Sequence, residues 1–339
     1  MFKRIIAFLS VIVLVVSLAA CSASTETDTS AQTPDSAAAG EKTTEATAQP
    51  TAEPVKAAEA TQDQVKSIVI AYLPNEAKEE LTEYRKGVAA DMEKALGVKV
   101  TEFLASDYNA TIEAMRTGKA DIANFGPLSY SQAVARANAE CLVAPAPEGK
   151  KENMGYYSYI ITQANNDKIK TINDLKGVKF AFVDANSTSG NLMPSFQILE
   201  AFKDPNLTFD DLHENGKFFS AVSFSGAHQN GLQAVIKGDI DAAPVASDIY
   251  DREIKEGRAD ASKLKIIFKS PKLPGSPIGI RGDLPAEFKQ KVKEFYLNYD
   301  NAEYFEKFVG LADGKPQKYV EVTNDDYKDI LALREKFGL

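Results

Sequence analysis

The chain has 339 residues, 44% of them hydrophobic and 26% charged, which is enough apolar material for a sizeable core and, by length, about two domains. Its formal net charge of −9 argues against nucleic acid or an anionic membrane face as the main partner, while leaving room for a small, locally positive pocket. Only two histidines, His213 and His228, and no CxxC or HxxxH spacing leave no basis for a metal site, and no cofactor is expected.

Lys3 and Arg4 open the chain as a short positive region. Ile5 to Leu18 is apolar apart from Ser10 and Ser17, too short for an ordinary membrane span of roughly 20 residues. The run ends in Leu18-Ala19-Ala20-Cys21, which resembles the lipobox of bacterial lipoproteins. That resemblance implies a signal peptide over residues 1–20 and a Cys21 thiol that takes a lipid, anchoring the mature protein to the extracytoplasmic face of the cell membrane. Residues 22–64 are rich in Ser, Thr, Ala, Glu and Pro and contain no Phe, Tyr, Leu or Ile, so residues 21–64 read as an acylated cysteine followed by a disordered tether. With Cys21 acylated, Cys141 has no intramolecular disulfide partner. Its setting in Cys141-Leu142-Val143-Ala144 reads as a small buried hydrophobe.

From Val65 onward strand-like and helix-like patterns alternate. Val65 to Leu73 predicts a strand, and Leu81, Tyr84, Val88, Met92 and Leu96 fall at helical spacing within 79–96. Strands follow at 98–104, 121–125 and 141–144, with helices at 110–117 and 128–138. A second series has strands at 156–162, 178–183, 218–224, 241–245 and 264–268, with helices at 190–202, 228–237 and 248–256. A last helix covers 285–299. The alternation predicts an α/β fold with helices on both faces of open sheets. Two lobes are expected, residues 65–160 plus 270–339 and residues 161–269, joined by a hinge with a ligand in the cleft.

The most informative stretch runs from Val178 to Gly190, where a buried strand meets Asn186-Ser187-Thr188-Ser189-Gly190 and then an apolar helix. Backbone N–H groups at a helix start carry partial positive charge, and three hydroxyls beside them suit a tetrahedral oxyanion without lysine or arginine. The same residues also serve as a plain helix cap. His228 stands at a second strand-to-helix junction, where ligands of α/β folds gather. His213 lies in a polar loop and reads as surface. Tyr108 and Tyr156 are either core or neutral phenol donors, and Asp248 is either a helix cap or a contact for a ligand substituent. Ser189, His228 and Asp248 also contain the groups of a hydrolase triad, but no GxSxG elbow or paired-acid motif accompanies them.

Four ordered stretches resemble a known family: Ala120 to Ser129, Asn186 to Gly190, Gly226-Ala227-His228, and Lys269 to Ile278. They are similar to the phosphate/phosphite/phosphonate-binding proteins of ABC transporters over about Ile68 to Tyr299. The resemblance implies a type II periplasmic-binding-protein fold that captures a small phosphorus oxyanion and hands it to a permease and its ATPase, as a monomer and without catalysis. It places Tyr108, Tyr156, Ser187, Thr188, Ser189 and His228 on the phosphonate oxygens. Members that bind 2-aminoethylphosphonate use two carboxylates around the ammonium. One corresponds to Asp248; the other falls at Ser276, a departure from the expected acid. An ammonium held by one carboxylate and a serine is held less well. The expected ligand is therefore an alkylphosphonate, phosphite or another substituted phosphonate; phosphate, sulfate or sulfonate is the alternative.

Overall fold

The computed structural model describes residues 65–312 and 314–338. The expected signal peptide, Cys21 and tether lie outside the described residues. Eleven strands among the described residues form two sheets. The strands are β1 (Ser67–Tyr72), β2 (Lys99–Leu104), β3 (Ile122–Asn124), β4 (Ala139–Pro147), β5 (Ser158–Gln163), β6 (Lys179–Phe182), β7 (Ala221–Phe224), β8 (Ala242–Ala246), β9 (Leu264–Lys269), β10 (Ile278–Arg281) and β11 (Gln317–Glu321). The first sheet has the order β11-β4-β10-β3-β1-β2, and the second β7-β6-β8-β5-β9.

In the first sheet β1 runs parallel to β2 and β3, while β10 and β11 are antiparallel to their neighbours. Alternation places Ile68, Ile70 and Tyr72 of β1 in one hydrophobic cluster and Ala71 in the cluster on the opposite face. Being covered on both sides is why this strand reads as an uninterrupted apolar run. The helices are α1 (Thr82–Leu96), α2 (Tyr108–Arg116), α3 (Pro127–Ala137), α4 (Met193–Phe202), α5 (His228–Lys237), α6 (Ser247–Lys255), α7 (Ala286–Asn298), α8 (Ala302–Tyr304) and α9 (Lys328–Lys336). A wide π-helical turn, Thr188–Leu192, leads into α4, and a second, Phe305–Val309, follows α8.

Two chain segments pass between the sheets, before β5 and after β9, and they pair with each other. Tyr156 and Leu273 exchange backbone hydrogen bonds at 3.1 and 2.8 Å, and the Ser158 amide donates to Ser270 Oγ at 2.9 Å. Gly155 makes this approach possible: its φ is +122°, and a Cβ there would meet the Leu273 carbonyl at 2.2 Å.

Several details differ from the sequence reading. Strands β10 and β11 and helix α9 were not expected as elements. β4 extends through Pro145 and Pro147, which a central strand does not accept. The conflict resolves because pairing with β10 stops at Val143, and only the edge strand β11 accompanies the prolines. α9 and the residue after it contact helices associated with both sheets: Arg334 donates to the Ser131 carbonyl of α3, and Phe337 packs on Phe196 of α4 and on Phe209. Cys141 is only partly buried, its thiol facing the Val322 carbonyl at 3.5 Å, because the chain leading to α9 covers one side of β4. No helix among the described residues is long and apolar enough to cross a membrane.

Candidate ligand-binding site

A cavity of about 90 Å³ lies between the two sheets. One water needs about 10–15 Å³ on the same measure, so the space suits a small solute rather than a nucleotide. All eight residues singled out from the sequence line it: Tyr108, Tyr156, Ser187, Thr188, Ser189, His228, Asp248 and Ser276. Asn75, Glu76 and Arg252 join them from positions the sequence did not mark.

The serine-rich turn departs from a regular helix for a local reason. Pro194 has no N–H and cannot bond to the Gly190 carbonyl, which instead accepts from the Val183 amide at 2.9 Å. The turn widens, and Leu192 donates back to the Ser187 carbonyl at 3.0 Å. Gly190 sits hard against β6's end: a Cβ there would lie 2.4 Å from Val183 Cβ and 2.7 Å from Ser187 Oγ. Ser187 Oγ accepts from the Gly190 amide at 3.0 Å, and Thr188 Oγ1 accepts from the Leu128 amide at 2.8 Å. Each hydroxyl thus has one lone pair engaged and a proton left to donate. The first amides of the turn, at Thr188 and Ser189, have no acceptor within it.

His228 completes this group. The Ala246 amide donates to Nδ1 at 3.2 Å, which assigns the ring proton to Nε2, 3.3 Å from Ser189 Oγ. Burial pushes its pKa down to about 3, against the raising influence of the Pro244 carbonyl. It is therefore a neutral N–H donor at physiological pH. Tyr108 and Tyr156 are buried, and burial raises both phenols far above the usual range, so they too are neutral donors.

Asn75 ties these donors to the first sheet. Its Nδ2 donates to Tyr108 Oη at 2.6 Å, its Oδ1 accepts from the His228 amide at 3.0 Å, and its carbonyl accepts from Gln229 Nε2 at 3.1 Å. The loop bearing Asn75 and Glu76 is fixed by the buried Arg85 of α1, which donates to the Glu76 and Lys78 carbonyls at 2.7 and 2.8 Å.

Three ionisable side chains, Glu76, Asp248 and Arg252, also line the cavity. Burial, helped by the Asp248 carboxylate, lifts the Glu76 pKa to about 7 against the opposing pull of Arg252 and Arg85. Burial likewise raises Asp248, with Arg252 opposing it. Arg252 is 5% exposed and donates through Nη1 to the Phe308 carbonyl in the second π-helical turn. Glu76 Oε2, Asp248 Oδ1 and Arg252 Nε and Nη2 have no hydrogen-bond partner. The acid expected opposite Asp248 is absent at Ser276, yet Glu76 brings a second carboxylate to the cavity from the loop after β1.

His213 is not a surface residue. Its ring packs 4.5 Å from those of Phe182 and Phe209, and Nε2 lies 2.6 Å from Asn191 Oδ1, so it buttresses the serine-rich turn from behind. Among the described residues no group of three His, Cys, Asp or Glu side chains is placed to hold a metal ion.

Comparison with known proteins bears on this site. The family model described as the periplasmic substrate-binding protein of phosphonate ABC transporters matches residues 70–327. A phosphonates-binding periplasmic protein of Escherichia coli is 32% identical over 243 residues, 70% of this chain and 68% of that protein. A phosphate-import protein of Mycolicibacterium smegmatis is 29% identical over 276 residues, 78% and 84% of the two chains. The crystal structure of a binding-protein component of a phosphonate ABC transporter from Pseudomonas aeruginosa matches with a TM-score of 0.67 at 27% identity, covering 80% of this chain and 86% of that one. The two-sheet architecture is that of type II periplasmic binding proteins. With the family model spanning both sheets and the whole cavity between them, the chain belongs to the family of periplasmic substrate-binding proteins of phosphonate ABC transporters.

Proposed function

We propose that the protein captures a phosphonate, or phosphite, in this cavity and delivers it to an ABC permease driven by its ATPase. The observation that carries the reading is the convergence of neutral donors at the serine-rich turn: the hydroxyls of Ser187, Thr188 and Ser189, the phenols of Tyr108 and Tyr156, and His228 Nε2–H. Several such donors balance an anion's charge without fixing a counter-ion in place. Asp248 and Ser276 would face the ligand's substituent.

Residues 65–160 plus 270–339 and residues 161–269 are proposed as the two lobes that close over the ligand. Donors from both sides of the cavity give the ligand more contacts in the closed form than in the open one, and only such a difference shifts the equilibrium. Cys21 is proposed as the lipid attachment that keeps the protein, as a monomer, at the outer face of the membrane. Binding without chemistry is favoured by the state of His228. Its Nδ1 accepts from an amide rather than donating to Asp248, so Nε2 already carries a proton and cannot take one from Ser189.

Calorimetric titration of the full chain with phosphite, methylphosphonate, ethylphosphonate, phosphate and sulfate tests the reading. Micromolar or tighter binding of a phosphonate or phosphite is expected. Binding of sulfate or phosphate with no response to any phosphonate or phosphite would overturn the ligand assignment.

A further inference from the structure

We propose that Glu76, Asp248 and Arg252 form a subsite for a zwitterionic substituent, so that the preferred ligands are phosphonates bearing both an ammonium and a carboxylate, as on an α-amino acid. The inference rests on the reading that the neutral donors hold the phosphonate group.

A buried guanidinium without its full set of acceptors is an expensive arrangement, as is a buried carboxylate oxygen without a donor. Arg252 has one nitrogen, Nη1, occupied by the Phe308 carbonyl; Nε and Nη2 are free. Those two N–H groups form one edge of the planar fork, the edge that grips a carboxylate through two parallel hydrogen bonds. On the acidic side, Glu76 and Asp248 each keep one free oxygen, Oε2 and Oδ1. An ammonium has three donors to divide between them.

Neither charge alone satisfies the trio. An ammonium on its own leaves the Arg252 edge open, and a carboxylate on its own leaves both acids unserved and adds a like charge beside them. Asp248 and Arg252 stand four residues apart on α6, a spacing at which they can reach each other, yet both retain unpartnered atoms. A substituent carrying both groups would engage all four free atoms. The position of the trio also fits, since Glu76 follows Asn75 and Asp248 is the second residue of the helix after the strand that ends at Ala246, whose amide bonds to His228.

The test is a calorimetric comparison on the full chain of 2-amino-3-phosphonopropionate, 2-aminoethylphosphonate, 3-phosphonopropionate and ethylphosphonate. The bifunctional compound is expected to bind at least about tenfold more tightly than either singly charged one, the gain of one charge-assisted contact. In Arg252→Lys, which keeps the charge but loses the fork, its advantage over 2-aminoethylphosphonate should fall towards one. In Asp248→Asn and in Glu76→Gln, its advantage over 3-phosphonopropionate should fall, and these arms stand even if the arginine variant does not fold. Equal binding of 2-amino-3-phosphonopropionate and 2-aminoethylphosphonate by the unaltered protein would overturn the subsite while leaving the phosphonate site intact. Failure of all four compounds, and of phosphite and methylphosphonate beside them, would overturn the phosphonate reading itself.

Discussion

The polar lining of the cavity is of two kinds. Around the serine-rich turn every group is neutral, and most are already engaged: Ser187 with the Gly190 amide, Thr188 with the Leu128 amide, Tyr108 with Asn75, His228 with the Ala246 amide. Glu76, Asp248 and Arg252, by contrast, are ionisable and incompletely partnered. The neutral groups are pre-organised by the fold, so an oxyanion bound there, as proposed, would be met with little rearrangement. The charged ones are expensive to bury, so they make sense as discriminators, whose cost is offset only by a ligand with matching groups.

The sharpest way to break the neutral half is Gly190→Ala. Its Cβ has no space against Val183 and Ser187, so the turn must shift. We expect a loss of about 1–3 kcal/mol of stability, read as a lower Tm, and more than about a hundredfold loss of phosphonate affinity. Ser189→Ala should leave the turn in place and remove one donor to a charged oxygen, weakening binding by about 10- to 150-fold in calorimetry. Asn75→Ala deprives Tyr108 and the His228 amide of their partner and should cost about tenfold, with unaltered affinity contradicting its bridging role.

In the pH dependence the two halves pull in opposite directions. Glu76 has its folded pKa raised from 4.5 to about 7, so its favourable contribution to stability is full below about 4.5 and is lost as pH rises through 7. Chemical denaturation should therefore show Glu76→Gln gaining on the unaltered protein between pH 5 and pH 8. His228, lowered from 6.5 to about 3, contributes fully above about 6.5 and loses that contribution as pH falls towards 3. Its ¹⁵N ring signals should not titrate between pH 8 and pH 5; a midpoint near 6.5 would contradict a buried neutral donor.

The neutral half was legible in the sequence because its signals are local. A strand followed by three hydroxyl residues and a glycine reads either as a helix cap or as an anion-binding turn, and the helix start at His228 repeats the strand-to-helix pattern. Even so, the π-helical form of the turn was not expected. It depends on Pro194 withholding an N–H, a consequence that appears only once the Val183 amide has taken the Gly190 carbonyl. The charged half was not legible. Pro74-Asn75-Glu76 reads as an ordinary turn, and Arg252 within Asp251-Arg252-Glu253 as a solvated helix face. Arg85 fixes the loop that brings Glu76 into place, and Arg252 joins Glu76 at the cavity from 176 positions further along the chain, a meeting that no local pattern reports. β11 and α9 were missed for a related reason: each is short, and each is stabilised by packing on distant segments rather than by its own periodicity.

The most direct test of the account is a crystal structure of the full chain grown with ethylphosphonate, a ligand whose substituent carries no charge. The account predicts the phosphonate oxygens within hydrogen-bond distance of Ser187, Thr188, Ser189 and His228 Nε2, with the ethyl group towards Asp248 and Arg252. Phosphonate oxygens paired with the Arg252 guanidinium, and the ethyl group against the serine-rich turn, would contradict it.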